Sequence, residues 1–182
     1  MRTEAIILKK IPIREYDELV VCYTKHAGKQ TYQAKSVRRH TSKQASHLDI
    51  LNLVDFTLVH PKGSLKEQLI NGHSIITQAY SLRTFSRLKS SLPAMAVAFF
   101  ILESFDKLVF EGEIDDKLWN FLTDNLNKLD ELSQKRIARW PTVIESTRKE
   151  LMETMGYEPN TLIEDLAGVR FRSLQFANIV LR

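Results

Sequence analysis

The sequence predicts an α+β protein in which a five-stranded barrel is followed by an all-helical domain. Two observations support this prediction. Short runs rich in β-branched and aromatic residues fill most of the first half, and apolar residues recur at three- and four-residue spacing in the second half. We place the barrel domain at residues 1–78 and the helical domain at 79–182, because a polar, basic and serine-rich stretch separates them.

The first four predicted strands are TEAIILKKIPI, ELVVCYTKH, KQTYQAK and LVDFTLV. Ala27–Lys29 supplies the turn between the second and third strands, and His60–Gly63 supplies the turn after the fourth. The segment SLKEQLING, which follows that turn, is the predicted fifth strand. Five short strands in this space suggest a small barrel or sandwich, and a barrel with basic loops is compatible with an OB-fold.

Three longer helices are predicted in the second half. Ser90 or Ser91 is expected to cap the first, whose body AMAVAFFILESFDKLVFE is apolar nearly all round and should pack centrally. Asp115 or Asp116 is the expected N-cap of the second, which carries a leucine stripe. Gly156 stands where a left-handed cap would end the third. The tail VRFRSLQFANIVLR is compatible with either strand or helix.

The charge is divided unevenly along the chain. Residues 1–90 hold 15 Lys and Arg against 7 Asp and Glu, whereas residues 91–182 hold 11 against 15. The basic half therefore predicts a polyanionic partner. The longest apolar run has nine residues, too short for a membrane span, and no signal peptide is recognisable. We therefore expect a cytoplasmic protein with no membrane partner.

Patterns that indicate catalysis or a cofactor are absent from the sequence. Gly28-Lys29 lacks the upstream glycine of a phosphate-binding loop. The single cysteine, Cys22, excludes a cysteine-rich zinc site, and His40 and His47 are interpreted as solvent-facing histidines rather than zinc ligands. The sequence therefore predicts a non-catalytic protein without a cofactor or metal.

The basic segment, defined as residues 34–43 with the sequence AKSVRRHTSK, is the strongest candidate for a binding site. It contains four basic residues and no acidic one, and such residues bind nucleic-acid phosphates by releasing counterions. Tyr32 is the preferred base-stacking residue because its neighbours are not strongly apolar, with Tyr16, Tyr23 and Phe85 as further candidates. The predicted nucleic-acid-binding set is Lys9, Lys10, Arg14, Lys29, Tyr32, Lys35, Arg38, Arg39 and Lys43.

Several segments together resemble the RecO family of recombination mediator proteins. In the first half these are REYDELVV, TKHAGK and the spaced pattern AK..RR..S. In the second half they are FILESFDKLVFEGEIDDKLWNFL and RKELMETMGYEPN, with a Gly-Tyr step at Gly156-Tyr157. The resemblance covers roughly residues 4–160. It depends on the order and spacing of these segments more than on any one motif.

The resemblance implies an N-terminal OB-fold and a C-terminal helical domain. It also implies binding of single- and double-stranded DNA, annealing of complementary strands, and recombinase loading with a RecR-like partner and single-strand binding protein, in a bacterial cytoplasm in association with the nucleoid. Carried onto this sequence, the family's basic segment falls on Lys35, Arg38 and Arg39, and its glycine turn on Gly28-Lys29.

Three departures from the family pattern modify these expectations. Ser36 stands where the family usually has glycine, so a different loop backbone is expected. The cysteine cluster that many members carry after the Gly-Tyr step is missing, so no zinc site is expected. The sequence also ends earlier than usual, in QFANIVLR, so shortened or absent terminal helices are expected.

The residues by themselves leave two other functions open. One is an RNA-binding OB module acting in translation or RNA metabolism. The other is a non-catalytic adaptor whose positive barrel contacts an acidic protein. A competition between matched DNA and RNA strands distinguishes the first alternative from a DNA-binding protein. The second alternative predicts that the protein is not retained on immobilised single-stranded DNA at moderate salt.

Overall fold

A computed structural model describes residues 1–60, 73–135 and 139–181. The chain forms two compact units: a barrel unit, Met1–Thr84 with Glu111–Ile114, and a helical unit, Phe85–Phe110 with Asp115–Arg182. The barrel unit therefore extends past the predicted boundary at residue 78 and includes a short segment from farther along the chain. Within the described ranges, no helix is long and apolar enough to cross a membrane.

Five strands close into a barrel with the order β1-β2-β3-β5-β4. All neighbouring pairs are antiparallel except β3 and β5, which pair in parallel. This confirms the predicted five-stranded barrel of the OB type followed by helices. The strands are β1 Arg2–Pro12, β2 Glu18–Thr24, β3 Gly28–Ala34, β4 Leu53–Val59 and β5 Ile75–Arg83.

The inward face of the barrel supplies its core. Alternation places Ala5 and Ile7 of β1 and Val20 and Cys22 of β2 inside, where they meet Phe56 of β4. A β-bulge between Ile7 and Lys9 shifts the register of β1 against β2. Burial raises the pKa of the Cys22 thiol, which marks it as an inert packing residue.

Strand β5 was not predicted. The predicted fifth strand, residues 64–72, lies outside the described residues, and β5 runs instead through the predicted domain boundary. Its register against β4 shifts twice, so Ile76 and Ala79 both face the core although three positions separate them. These two irregularities destroy the two-residue alternation by which a strand is recognised in a sequence.

The second unit contains six helices among the described residues. Helix α2 is buried along most of its length and packs against all five others, which confirms the prediction of a central helix. Ser91 caps α2 and Asp115 caps α3. The tail forms a helix, α6. The helices are α1 Ser86–Lys89, α2 Leu92–Leu108, α3 Asp116–Leu132, α4 Trp140–Thr154, α5 Ile163–Ala167 and α6 Arg172–Val180.

Candidate nucleic-acid interface

The loop between β1 and β2, residues 13–17 and hereafter the β1–β2 loop, lies directly against the basic segment. The backbone N–H of Arg38 donates to the carbonyl of Tyr16 at 3.0 Å. The guanidinium of Arg38 also donates to the carbonyls of Glu15, at 3.2 Å, and Arg14, at 3.4 Å. Arg38 therefore fixes the two loops to each other while its side chain remains exposed.

Asp17 is the second residue that holds the two loops together. Its carboxylate accepts hydrogen bonds from the backbone N–H of Ser36 at 2.8 Å and from the side-chain amide of Gln33 at 3.2 Å. Arg14 lies 3.9 Å from the same carboxylate. Because Asp17 is largely buried by these contacts, its charge is directed toward the loop backbone rather than toward solvent.

Ser36 sits at the point where the basic segment leaves β3. Its φ of 54° lies in the left-handed region that favours glycine. The hydrogen bond to Asp17 compensates for part of that conformational cost, and the next side chain, Val37, is buried in the barrel core. The loop backbone is thus held on both sides of the strained position.

The cationic side chains of the basic segment stay exposed. Arg39 stacks on the ring of Tyr16, with its guanidinium carbon 4.9 Å from the ring centroid. Lys35 and Lys43 are exposed and make no hydrogen bond or ion pair with any described residue. The structure thus brings together Arg14, Arg38 and Arg39, with Lys35 and Lys43 on the same basic segment. We call these five residues the cationic surface.

Two basic residues of β1 have different surroundings. Lys9 is exposed on the outward side of the strand. Lys10 instead forms an ion pair with Glu18 at 3.1 Å, in which both side chains are mostly buried. Because that carboxylate already compensates its charge, Lys10 is a weaker candidate for a phosphate contact than the sequence predicts.

Tyr32 is not available for base stacking, which corrects the prediction. The β2–β3 pairing places it opposite Val20 on the inward side, and it is 6% exposed. Its ring makes an edge-on contact with Phe56 at a centroid distance of 5.5 Å. Burial also raises the pKa of Tyr32, so its hydroxyl stays neutral. Polar neighbours along the strand misled the prediction because they alternate to the other face.

The prediction that Lys29 contacts nucleic acid is also corrected. The residue is 9% exposed, and residues 111–114 of the same unit lie beside β3, where Glu111 forms a parallel bridge with Lys29. The N–H of Gly112 donates to the carbonyl of Lys29 at 2.9 Å, and the hydroxyl of Tyr23 donates to the carbonyl of Glu113 at 3.2 Å. The glycine turn therefore binds the protein's own chain and lies at the far end of β2 from the cationic surface.

Tyr16 and Asp17 are the residues that the sequence prediction undervalued. Tyr16 was one of four aromatic candidates, and its position in a loop next to a strand exit was the available signal. Asp17 belongs to no recognisable motif, because its role depends on contacts with the loop after β3. That loop is close to Asp17 in space but distant from it in sequence. Within the described part of the chain, no cluster of three or more potential metal ligands occurs.

Comparisons with known proteins agree with the fold. The family model described as "Recombination protein O N terminal" matches residues 1–79. The DNA repair protein RecO of Thermoanaerobacter sp. strain X514 is 25% identical over 178 residues, which cover 98% of this chain and 66% of that protein.

Two further relatives have the same printed name, DNA repair protein RecO. That of Dehalococcoides mccartyi strain BAV1 is 27% identical over 158 residues, or 87% of this chain and 57% of the relative. That of Alkaliphilus metalliredigens strain QYMF is 25% identical over 162 residues, which cover 88% of this chain and 60% of the relative. This chain thus spans 57% to 66% of the length of these relatives. The resemblance seen in the sequence is confirmed: residues 1–79 match the model of the RecO N-terminal domain, and proteins named DNA repair protein RecO are similar over most of the chain.

Proposed function

We propose that the protein acts in DNA repair and homologous recombination by binding single- and double-stranded DNA, annealing complementary strands and assisting recombinase loading. A RecR-like protein and single-strand binding protein are the proposed partners. The observation that carries this proposal is the cationic surface, which the β1–β2 loop and the basic segment build together. The similarity to proteins named DNA repair protein RecO supports the DNA repair role.

The charge of the cationic surface favours a phosphate backbone. Its five basic residues are accompanied on the two loops by only two carboxylates, Glu15 and Asp17. Asp17 is occupied by the Ser36 and Gln33 hydrogen bonds. The net positive charge would attract polynucleotide without regard to its base sequence, through counterion release.

Annealing follows from the same electrostatics. Two complementary strands repel each other through their phosphates, and a cationic surface that holds both lowers that repulsion. No bond is made or broken in this process, and no nucleotide cofactor is needed. The mechanism requires only that the surface bind backbones weakly enough for the bases to rearrange.

The salt dependence of single-strand binding tests the proposal. The double variant Lys35→Ala/Lys43→Ala removes two exposed charges that form no contact with described residues, so the fold should be unaffected. We expect the slope of log K against log salt to decrease by about 1.4, or roughly 0.7 per phosphate contact. Replacing Arg38 and Arg39 as well should decrease it by about 3 in total.

A matched control is the double variant Lys25→Ala/Lys117→Ala. It removes the same charge from two other exposed lysines, one at the β2–β3 turn and one in α3. Its slope should equal that of the wild type. Equal slopes for wild type and the Lys35/Lys43 variant would remove the basic segment from the binding site. Matched RNA strands in the same titration test for an RNA-binding protein, which would prefer them.

A further inference from the structure

Two aromatic side chains of the barrel unit are exposed within its described residues. Tyr23, Tyr32 and Phe56 are buried, whereas Tyr16 is 39% exposed and Tyr80 is 57% exposed. Exposing a ring forgoes the free energy of its burial. The surroundings of the two exposed rings differ in charge, and this difference separates their roles.

Tyr16 lies within the cationic surface. Arg39 covers part of its ring at 4.9 Å, and Arg14 is two residues away on the same loop. Tyr80 lies on β5 directly opposite Asp55, and the carboxylate of Asp55 forms an ion pair with Arg2 of β1. A phosphate chain is therefore attracted more strongly to the surroundings of Tyr16 than to those of Tyr80, where the charges of Arg2 and Asp55 compensate each other.

The backbone beneath Tyr16 is held in place on both sides. Its carbonyl accepts the N–H of Arg38 at 3.0 Å, and the N–H of Ile13 donates to the carbonyl of Asp17 at 3.1 Å to close the loop. The ring is thus presented by a loop of fixed conformation. A stacking residue gains affinity from such preorganisation, because little side-chain and loop entropy is lost on binding.

We propose that Tyr16, together with Arg39, is a stacking site for an unpaired nucleobase, and that Arg14 and Lys35 bind the phosphates flanking that base. This inference rests on the proposed nucleic-acid binding and adds a distinction between strands. Bases in a duplex are already stacked on one another, so the site favours single strands. Phosphate contacts serve single strands and duplexes alike.

The test compares Tyr16→Ala, Tyr16→Phe and Tyr80→Ala for binding of oligothymidylate and of a duplex of equal length. Tyr16→Ala should bind the single strand roughly 5- to 150-fold more weakly, as expected for the loss of one stacked base. Its duplex affinity should stay within about twofold, and its salt slope should not change, because no phosphate contact is removed. Tyr16→Phe and Tyr80→Ala should bind like the wild type.

A second measurement uses the wild-type protein without substitution. A strand carrying 2-aminopurine should lose fluorescence on binding, because stacking on an aromatic ring quenches this base analogue. Quenching that persists in Tyr16→Phe and disappears in Tyr16→Ala supports the site. No quenching at any position of the strand, or equal loss of single-strand and duplex affinity in Tyr16→Ala, overturns it.

The outcomes distinguish this inference from the proposed function. If the wild type binds neither oligonucleotide at low salt, the proposed function itself is wrong. If the wild type binds both and Tyr16→Ala binds like it, the protein is a nucleic-acid-binding protein and only the stacking site is wrong.

Discussion

At Gly28 two backbone segments of the barrel unit approach each other closely. Its φ of 65° is left-handed, and a Cβ atom built on it would lie 2.0 Å from the carbonyl oxygen of Glu113. A side chain of any kind is therefore excluded there by two independent effects, strain and overlap.

Replacing Gly28 with Ala should destabilise the barrel unit by more than the strain of a left-handed residue, which is about 1 kcal/mol. We expect a loss of about 2–4 kcal/mol in the free energy of unfolding, measured by urea titration. Gly112→Ala is the matched control, because φ is 75° there but the nearest atom to the added Cβ is 3.9 Å away. Equal losses for the two variants would show that the close approach contributes nothing.

Tyr16 and Tyr32 show what can be predicted of single candidate residues for nucleic-acid binding. The basic residues of the segment were predictable, because charge density is visible in the sequence. The choice between the two tyrosines was not, because it depends on the β2–β3 register, which a sequence with alternating polar and apolar positions leaves undecided. The buried position of Lys29 likewise follows from residues some 80 positions later.

The N-terminus of helix α6 is capped by a side chain from another helix. Glu103 of α2 accepts hydrogen bonds from the N–H groups of Arg172, at 3.2 Å, and Ser173, at 2.8 Å, and from the Ser173 hydroxyl at 2.5 Å. Lys107 pairs with the same carboxylate at 2.8 Å. One carboxylate thus compensates the unpaired donors and the positive end of the α6 dipole.

The stability supplied by Glu103 should depend on pH. Burial by itself would raise the pKa of this carboxyl, but hydrogen bonds from Lys107, Ser173 and Arg172 together lower it below its ordinary value. A carboxyl with a lowered pKa in the folded state stabilises that state above its unfolded pKa, and this contribution is lost as the pH falls through the folded value. Glu103→Gln should therefore cost about 1–3 kcal/mol at neutral pH, and the difference from wild type should shrink under acid conditions.

Urea unfolding at several pH values measures this difference, with Glu145→Gln as control. The hydrogen bond from Arg148 lowers the pKa of Glu145 too, but the Glu145 side chain is 52% exposed, so the pair should contribute less than about 1 kcal/mol. A Glu103→Gln difference that stays constant with pH would contradict the charge-based account of the cap.

The helices were more predictable than the strands. Ser91, Asp115 and Gly156 are local signals, and each is found where the sequence places it. At Gly156 the N–H groups of Gly156 and Tyr157 donate back to the last turn of α4, which ends the helix. Strand β5 could not be recognised because its bulges are set by its partner strand, and the helical tail was undecided because its cap comes from α2.

The distribution of charge over the sequence separates the two halves of the chain. The basic half contains the cationic surface, and the acidic half is poorly suited to contact DNA over most of its surface. We therefore propose nucleic-acid binding for the barrel unit and protein contacts for the helical unit.

The rate of strand annealing tests whether the barrel unit binds nucleic acid. Complementary oligonucleotides should form duplex faster with the protein than without it, in the absence of ATP, and the acceleration should decrease as salt is added. The Lys35→Ala/Lys43→Ala variant should anneal more slowly than the Lys25→Ala/Lys117→Ala control. A rate equal to that of the protein-free reaction would reject annealing for this chain.

The four residues Glu111–Ile114 have a consequence for the order in which the chain can fold. They belong to the barrel unit, but helix α2 must be synthesised before them. On the ribosome, the strands through Arg83 can emerge and pair while Tyr23 still lacks the carbonyl that its hydroxyl bonds to. The nascent barrel is therefore unfinished until translation has passed residue 114, and a chaperone that shields β2 and β3 during that interval would protect it from premature association.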